Sequence, residues 1–463
     1  MSEDATLDEF VDAEREDATE SVKDTDTLDQ EKFGPFTLST PGEWSAKRLG
    51  DIKKLITRGK QPTYDDDGIP VINQECIYWD GWHFENLRYL DEDVGGDWKN
   101  KYFPQKGDVI LNSTGQGTLG RAQVYPDNQR RAIDSHVTLL RTEDELNPYF
   151  HRYFLESHLG QALLYSMCVN GSTGQIELSK TRLDLQPVPL PPLAEQRKIA
   201  TVLYTVDKAI EKTEEIIEQK ERIQTGLMQD IFTGVNVDST KSVRLSAVDT
   251  EIPEHWKVKE VGEVSTQITD GAHLTPDRSE DGYLLLSARN VKNGYLDLSD
   301  VDYVPEEEYE RLIEKCDPQP GDILISCSGT VGRVCEVPED LEFALVRSAA
   351  LVKFDDSLLP SYAEKVLQSV GVQKQIMGYQ TQSAQPNLFQ GQIASLEIPI
   401  PPVEEQRDIA NKLDDIGASV NSDQRYKSQL ERLKHGLMQD LLSGTVRTTA
   451  TNIQVPDEIA QHG

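Results

Sequence analysis

Two stretches of the chain carry a helical hydrophobic rhythm much longer than any other. Within 196–233 apolar residues fall at Ile199, Val202, Val206, Ile210, Ile216, Ile223, Leu227 and Ile231. A second run shows Ile409, Leu413, Ile416, Val420, Leu430, Leu433, Leu437 and Leu441. Mixed spacings of 3 and 4 put such residues on one stripe of a helix, as in a coiled-coil seam. Each run follows a Pro-Pro pair and an acidic first turn and stops at Gly234 or Gly444, the expected punctuation of a helix. About 40 residues at 1.5 Å each make a rod of roughly 60 Å. Charged seam positions, Lys220 and Asp423 among them, leave each seam modest and in need of a partner. The expected partner is the other helix, packed antiparallel. Gly226 and Gly436 fall inside the runs, where glycine costs about 1 kcal/mol. Either a close helix crossing or a helix end there would account for them.

The remaining pattern is mixed. Val71-Ile72, Val109-Ile110-Leu111, Val137-Thr138-Leu139-Leu140, Leu284-Leu285-Leu286, Ile323-Leu324-Ile325 and Ala350-Leu351-Val352 read as short strands. Trp79-Asp80-Gly81-Trp82 carries the Asp-Gly pair of a tight hairpin. Residues 148–166 and 360–377 look helical. The fold class expected is therefore α/β in the mixed, α+β sense.

The chain repeats itself. Leu190-Pro191-Pro192-Leu193-Ala194-Glu195-Gln196-Arg197 recurs as Ile400-Pro401-Pro402-Val403-Glu404-Glu405-Gln406-Arg407, and Gly226-Leu227-Met228-Gln229-Asp230 as Gly436-Leu437-Met438-Gln439-Asp440. Residues 190–234 and 400–444 share 17 identities in 45 ungapped positions, where unrelated segments would share roughly 3. Upstream the likeness is looser. Trp44-(x4)-Leu49-Gly50-Asp51 answers Trp256-(x4)-Val261-Gly262-Glu263, and Ile56-Thr57-Arg58-Gly59 answers Ile268-Thr269-Asp270-Gly271. Gly107-Asp108-Val109-Ile110-Leu111 answers Gly321-Asp322-Ile323-Leu324-Ile325, and Gly117-Thr118-Leu119-Gly120-Arg121 answers Gly329-Thr330-Val331-Gly332-Arg333. One module is used twice, with a divergent block of about 150 residues followed by a kept helix. The expected division is a disordered acidic tail at 1–40, a first block at 41–189 and a first helix at 190–235. A linker at 236–250, a second block at 251–399, a second helix at 400–445 and a tail at 446–463 complete it.

Charge complicates the choice of partner. The chain has 463 residues, 80 acidic and 47 basic, for a formal net charge of −33. That alone argues against nucleic acid, whose binders usually show a basic footprint. The excess is uneven, however: residues 1–40 hold 13 acids and 3 bases, 41–189 hold 21 and 17, and 251–398 hold 26 and 12. An acid excess spread over a folded surface suggests adaptation to high salt, and so a halophilic prokaryote. Five cysteines without CxxC spacing fit a reduced cytoplasmic protein without structural zinc. No apolar run is long enough for a membrane span.

With its doubled Pro-Pro-x-x-Glu-Gln-Arg entry, doubled Gly-Leu-Met-Gln-Asp helix end and doubled Gly-Asp strand, the chain resembles the specificity subunits of type I DNA restriction–modification systems. The match covers about 41–445. The resemblance implies two target recognition domains joined by two long antiparallel coiled-coil-like helices, a pseudo-twofold internal repeat without catalytic chemistry. It implies double-stranded DNA as ligand, read as two unlike half-sites. It also implies two modification (methyltransferase) subunits as partners, restriction subunits through them, and no membrane. S-adenosylmethionine, ATP and Mg are expected on those partner subunits, with no cofactor in this chain. On this reading the helices act as a ruler: one inserted turn, about 5.4 Å, lengthens the unread spacer by roughly one to two base pairs.

Sequence readout uses donors on loops entering the major groove, and arginine is the commonest reader. The first block clusters Lys53, Lys54, Arg58, Lys60, Arg121, Arg130 and Arg131; the second offers Arg278, Arg289, Lys292, Arg333 and Arg347. Gln116, Asn73, Gln74, Asn290 and Gln382 are amide candidates for adenine. Arg121 and Arg333 occupy the same place in the repeat, which suits phosphate contact better than readout of different bases. Gly115 to Gly120 spells GxGxxG, but a strand-like segment follows it where a dinucleotide site needs a helix. Trp79, Trp82 and Phe84 suit hairpin packing more than base stacking. Cys327 and Cys335 suit a core. Asp134, Ser135 and His136 have triad residue types, but neighbours along a strand face opposite ways. A self-sufficient methyltransferase or nuclease would need a cofactor loop or a carboxylate–lysine cluster, and neither is visible. A structural coiled-coil adaptor is the other alternative.

Overall fold

The computed structural model describes residues 29–33, 36–170, 176–235, 239–245, 248–272, 275–380 and 387–462. Acidic residues 1–28 and the amide candidate Gln382 lie outside the described residues. The chain divides into two compact units, residues 1–213 with 426–463, and residues 214–425. Both unit boundaries fall inside the two long helices, Leu193–Phe232 and Val403–Ser443.

In the first unit the β-branched runs form a four-stranded antiparallel sheet in the order Lys53–Arg58, Val137–Thr142, Val109–Asn112, Ala122–Val124. Its central strand Val109–Asn112 is buried along its whole length. A second four-stranded sheet contains Ile69–Ile72, Arg88–Leu90 and Tyr64–Asp65, with Ala132–Ile133 running parallel to Ile69–Ile72. Ser45–Arg48 pairs with Pro187–Leu190, closing the block on itself. Helix Pro148–Glu156 packs Phe150, Tyr153, Phe154 and Leu155 into the same core as Ile56, Val109, Leu111 and Leu140.

The second unit repeats this plan. Its four-stranded sheet runs Ser265–Asp270, Ala349–Phe354, Ile323–Ser326, Val334–Glu336. A three-stranded sheet holds Asp302–Val304, Tyr283–Leu286 and Phe343–Leu345, again with one parallel pair, and Lys257–Glu260 pairs with Glu397–Ile400. Every strand expected from the sequence is present in the two units.

Geometry explains the repeated motifs. The Glu of Pro-Pro-x-x-Glu-Gln-Arg anchors a tryptophan: Trp44 Nε1 donates to Glu195 at 3.1 Å, and Trp256 Nε1 to Glu405 at 3.0 Å. The following Gln clamps the loop before the block's first core helix. Gln196 accepts from the Asn147 N–H at 2.8 Å and donates to the Glu145 and Pro191 carbonyls, both at 2.9 Å. Gln406 does the same for Leu359, Ser357 and Pro401. Gly234 and Gly444 stop the helices with φ of 65° and 76°, the left-handed C-terminal conformation glycine adopts without a Cβ clash.

Four expectations are corrected. Residues 148–166 are helical but not continuous, because Ser157 ends the first helix and caps His158–Leu163 by accepting from the Gly160 N–H, and a π-helical turn, Leu164–Cys168, follows it; 360–377 is likewise split at Ser369 into Pro360–Gln368 and Val370–Gln380. Gly226 and Gly436 stay inside their helices, and among the described residues a Cβ added at either would meet nothing within 4 Å, so neither a helix end nor a close crossing by a described segment accounts for them. Ile216, Ile223 and Leu433 are exposed, and the first seam buries Ile217 instead. The segments read as tails are partly structured. Asp29–Phe33 pairs with Phe36–Thr40, and Phe33 and Leu38 gather with Ala46. At the other end Ile459 is fully buried, the Arg447 guanidinium binds both Glu195 oxygens at 2.8 and 2.9 Å, and Lys198 donates to three carbonyls of 448–451.

The seam charges are paired. Within the second unit Lys220 meets Asp423 at 2.6 Å and Ser419 at 2.7 Å. Within the first, Lys434 meets Asp207 at 2.7 Å and Glu156 at 2.6 Å. In each unit the two helix segments therefore run antiparallel.

Candidate nucleic-acid interface

Each four-stranded sheet has one end where its loops gather. In the first unit this end is formed by Arg58, residues 113–121 and residues 134–136, because Arg58 pairs with Thr138, Val137 with Asn112, and Leu111 with Ala122. Arg58 donates from Nε to the Ser135 carbonyl at 2.6 Å and from Nη1 to Glu177 at 3.0 Å. Thr114 Oγ1 and His136 Nδ1 lie 2.8 Å apart. Gln116 projects from the same loop and is exposed. Arg121 donates to the Gly117 carbonyl at 3.0 Å and lies over the Tyr78 ring at 4.7 Å. The structure thus places Arg58, Gln116 and Arg121 at the same end of the sheet, with Arg58 ending one edge strand and Arg121 preceding the other.

Other candidates in this unit lie elsewhere. Lys53 and Lys54 sit at the opposite end of the Arg58 strand, paired with Asp184 at 2.6 Å and Asp144 at 2.5 Å. Lys60 and Arg130 rest on an aromatic cluster beside the second sheet, over Trp98 at 5.1 Å and Phe103 at 4.4 Å. Arg131 is buried between Asp127 at 2.8 Å, Tyr125 Oη at 2.9 Å and Gln129 at 2.7 Å. Asn73 is a buried cap, accepting from the Glu75 N–H at 2.7 Å. Trp82 stacks on Phe84 at 4.9 Å and donates to the Val124 carbonyl, so this aromatic pair packs the hairpin. Asp134 is 1% exposed; desolvation raises its pKa, while hydrogen bonds from the His136 N–H and Tyr64 pull it down in part.

In the second unit the corresponding end is a cleft of roughly 670 Å³ lined by Asp270, Ser328, Arg347, Ser348, Phe389 and Gln390, among others. Arg347 is exposed. Arg333 and Arg347 have no carboxylate partner among the described residues, and the same holds for Lys60, Arg121 and Arg130 in the first unit. The other basic candidates here are neutralised. Arg278 and Arg289 reach Asp302 at 3.4 and 3.0 Å, and Lys292 reaches Asp297 at 3.5 Å. Asn290 is buried and donates to two carbonyls, a structural role. Sequence reasoning missed Asp270 and Gln390. The signal was present: Ile-Thr-Arg-Gly in one copy becomes Ile-Thr-Asp-Gly in the other. The glycine of that motif is sterically required, since a Cβ at Gly59 would lie 2.0 Å from the Asp134 carbonyl oxygen and one at Gly271 2.1 Å from that of Leu345.

Comparison with known proteins places this geometry. Two segments, residues 41–222 and 253–432, match the type I restriction modification DNA specificity domain. The chain belongs to this family. It is 26% identical over 417 residues to the putative type I restriction enzyme MjaX specificity subunit of Methanocaldococcus jannaschii, covering 88% of this chain and 94% of that one. Similarity extends to the type I restriction enzyme EcoKI specificity subunit of Escherichia coli K12, 23% identical with 83% of each chain covered. The fold matches the crystal structure of the type I restriction-modification S subunit from M. genitalium with a TM-score of 0.54 at 14% identity, covering 86% of this chain and 96% of that one. A chain from a structural study of type I restriction-modification complex assembly gives the same TM-score at 18% identity, covering 89% and 100%. As a type I specificity subunit the chain is a recognition component, not a catalytic one. Among the described residues no helix is long and apolar enough to cross a membrane, and no group of three or more metal-ligating side chains gathers.

Proposed function

We propose that this specificity subunit reads a bipartite, asymmetric DNA site, one half-site for each divergent block, and carries the modification and restriction subunits of its system. The observation behind this reading is that two sheets of identical strand order present loop ends of different chemistry. One offers Arg58, Gln116 and Arg121; the other offers Asp270, Arg347 and Gln390. Like folds place these loops alike on a duplex, while unlike side chains read unlike bases. Lys60, Arg130 and Arg333 suit phosphate contact, Arg121 stacks as a positioning group, and Arg131 supports the fold beneath them. The acid excess fits a salty cytoplasm, where the counterion-release gain from phosphate contacts shrinks and a basic surface contributes little.

The test is a genome-wide map of DNA methylation in the source organism with and without this gene, the modification subunit being expressed in both. A two-part motif that disappears on deletion is expected. An unchanged methylome overturns the proposal.

A further inference from the structure

The two loop ends differ most sharply at one register position. Arg58 pairs across its sheet with Thr138, and Asp270 pairs with Ala350 at the same place in the second sheet. Each is the last residue of its strand, and each precedes a glycine that packs against a neighbouring carbonyl with no room for a side chain. The backbone at both positions is therefore fixed from behind. Each side chain is also held from the side, by a residue of strand Glu177–Leu178 in one unit and by the first residue of helix Gln390–Ala394 in the other. Glu177 pairs with the Arg58 guanidinium at 3.0 Å, and Gln390 Nε2 donates to Asp270 Oδ1. The holders come from neighbouring places of the repeat and not from the same one, since Thr114 bridges Glu177 in one unit and Ser328 bridges Asn387, three residues before Gln390, in the other. The sign of the charge is inverted while the scaffold is kept.

We infer that position 58/270 determines specificity in each half-site, with Arg58 donating to a guanine edge and Asp270 accepting from the exocyclic amine of a cytosine. The chemistry is complementary in kind. In the major groove guanine presents the acceptors O6 and N7, which a guanidinium fork matches, and cytosine presents the N4 donor, which a carboxylate accepts. Arg58 uses Nε and Nη1 on protein partners, and its Nη2 group makes no hydrogen bond among the described residues. Asp270 lines the open cleft together with the exposed Arg347, whose positive charge offsets the repulsion a carboxylate meets near phosphates. The holders matter because a readout group confined to one geometry discriminates between bases more strictly than a mobile one.

This inference rests on the proposed reading of a bipartite site, and the experiment separates the two. The full chain is co-expressed with the modification subunits of its own system in a host lacking DNA methylation, and the methylated motif is mapped for wild type, Asp270→Asn, Gln390→Leu and Arg58→Gln. If wild type yields no two-part motif, the proposed function fails. Given such a motif, Asp270→Asn should relax one G·C pair in one half-site, lowering discrimination there by about tenfold, with spacing and the other half-site unchanged. Gln390→Leu should relax the same pair more weakly, and Arg58→Gln should relax one G·C pair in the opposite half-site. Should Asp270→Asn abolish methylation altogether, Gln390→Leu decides. Relaxation of a single G·C pair supports the inference, and an unaltered motif overturns it. An unaltered motif in Asp270→Asn, relaxation at an A·T pair, or both variants acting in one half-site also overturns it.

Discussion

Glu195 and Glu405 occupy the same place in the repeated motif, yet their surroundings predict unequal consequences for Glu→Ala. The Glu195 carboxylate is 2% exposed and accepts from Trp44 Nε1, from two nitrogens of Arg447 and, at 3.3 Å, from the Thr448 N–H. Removing it strands the indole N–H and leaves a guanidinium, itself 19% exposed, with the outer Glu43 as its one carboxylate among the described residues. Breaking a buried pair costs about 3–5 kcal/mol, and the remaining Glu43 contact lowers that to roughly 2–3 kcal/mol here. Glu405 accepts from Trp256 Nε1 and from His255 at 2.8 Å, and its side chain is 36% exposed. Water replaces much of what is lost, so the cost should be about 1 kcal/mol. Urea-dependent hydrogen exchange, followed by mass spectrometry on peptides from helices Pro148–Glu156 and Pro360–Gln368, reads the two units separately. Glu195→Ala should lower the opening free energy of the first set two- to threefold more than Glu405→Ala lowers that of the second. Equal losses, or a larger loss from Glu405→Ala, would refute the reasoning. The effect also has a pH signature. Desolvation alone would raise the Glu195 pKa, but the hydrogen bonds from Arg447 and Trp44 outweigh it and hold the carboxyl below its ordinary value. A depressed folded pKa contributes stability that is present above the unfolded value, about 4.3, and lost as pH falls through the folded one. The gap between wild type and Glu195→Ala should hold from pH 7 to 5 and narrow as pH falls from the unfolded value through the lower folded one.

Three further outcomes follow from the same packing. Asp207 joins Arg152 at 2.8 Å, Tyr153 Oη at 2.8 Å and Lys434 at 2.7 Å, and Asp207→Asn leaves two nearly buried cations under-compensated. Thermal melting should show a loss of roughly 2–4 kcal/mol confined to the first unit, and an unchanged melt would contradict the buried network. Gly226→Ala and Gly436→Ala fill open space on exposed helix faces, so each should raise stability by about 0.5–1 kcal/mol in denaturant titrations of the isolated chain; a decrease would mean the helices pack closer than described. Finally, replacing Lys60 and Arg130 by glutamine should reduce the steepness of log K against log salt for DNA binding by the assembled complex by about 2. The same change at the ion-paired Lys53 and Lys54 should leave the slope nearly unaltered, and the reverse order would exclude Lys60 and Arg130 as phosphate contacts.

What the sequence disclosed and what it withheld divide along physical lines. Short β-branched runs such as Val109-Ile110-Leu111 announce buried strands because nothing else in their neighbourhood competes, and duplication made both long helices visible. Helix breaks at Ser157 and Ser369 were hidden because the apolar rhythm continues across them, while at Ser157 a side-chain cap restarts the hydrogen bonding. The C-terminal segment carries too few apolar residues for a pattern, and Ile459 is buried against helices read from elsewhere in the chain. Counting basic residues found Arg58 and Arg121 but grouped them with Lys53 and Lys54, which the strand direction sends to the other end of the sheet. Asp270 escaped because only basic and amide side chains were sought as candidate contacts. Only the sheet register makes it the counterpart of Arg58.

The proposed function has each divergent block read one half of the target independently of the other. Its most direct test exchanges residues 251–398 for the matching block of a type I specificity subunit with a different target, and maps the methylated motif made by the reassembled complex. One half-site should be replaced and the other kept intact. A motif in which both halves change, or neither does while methylation persists, would contradict the account.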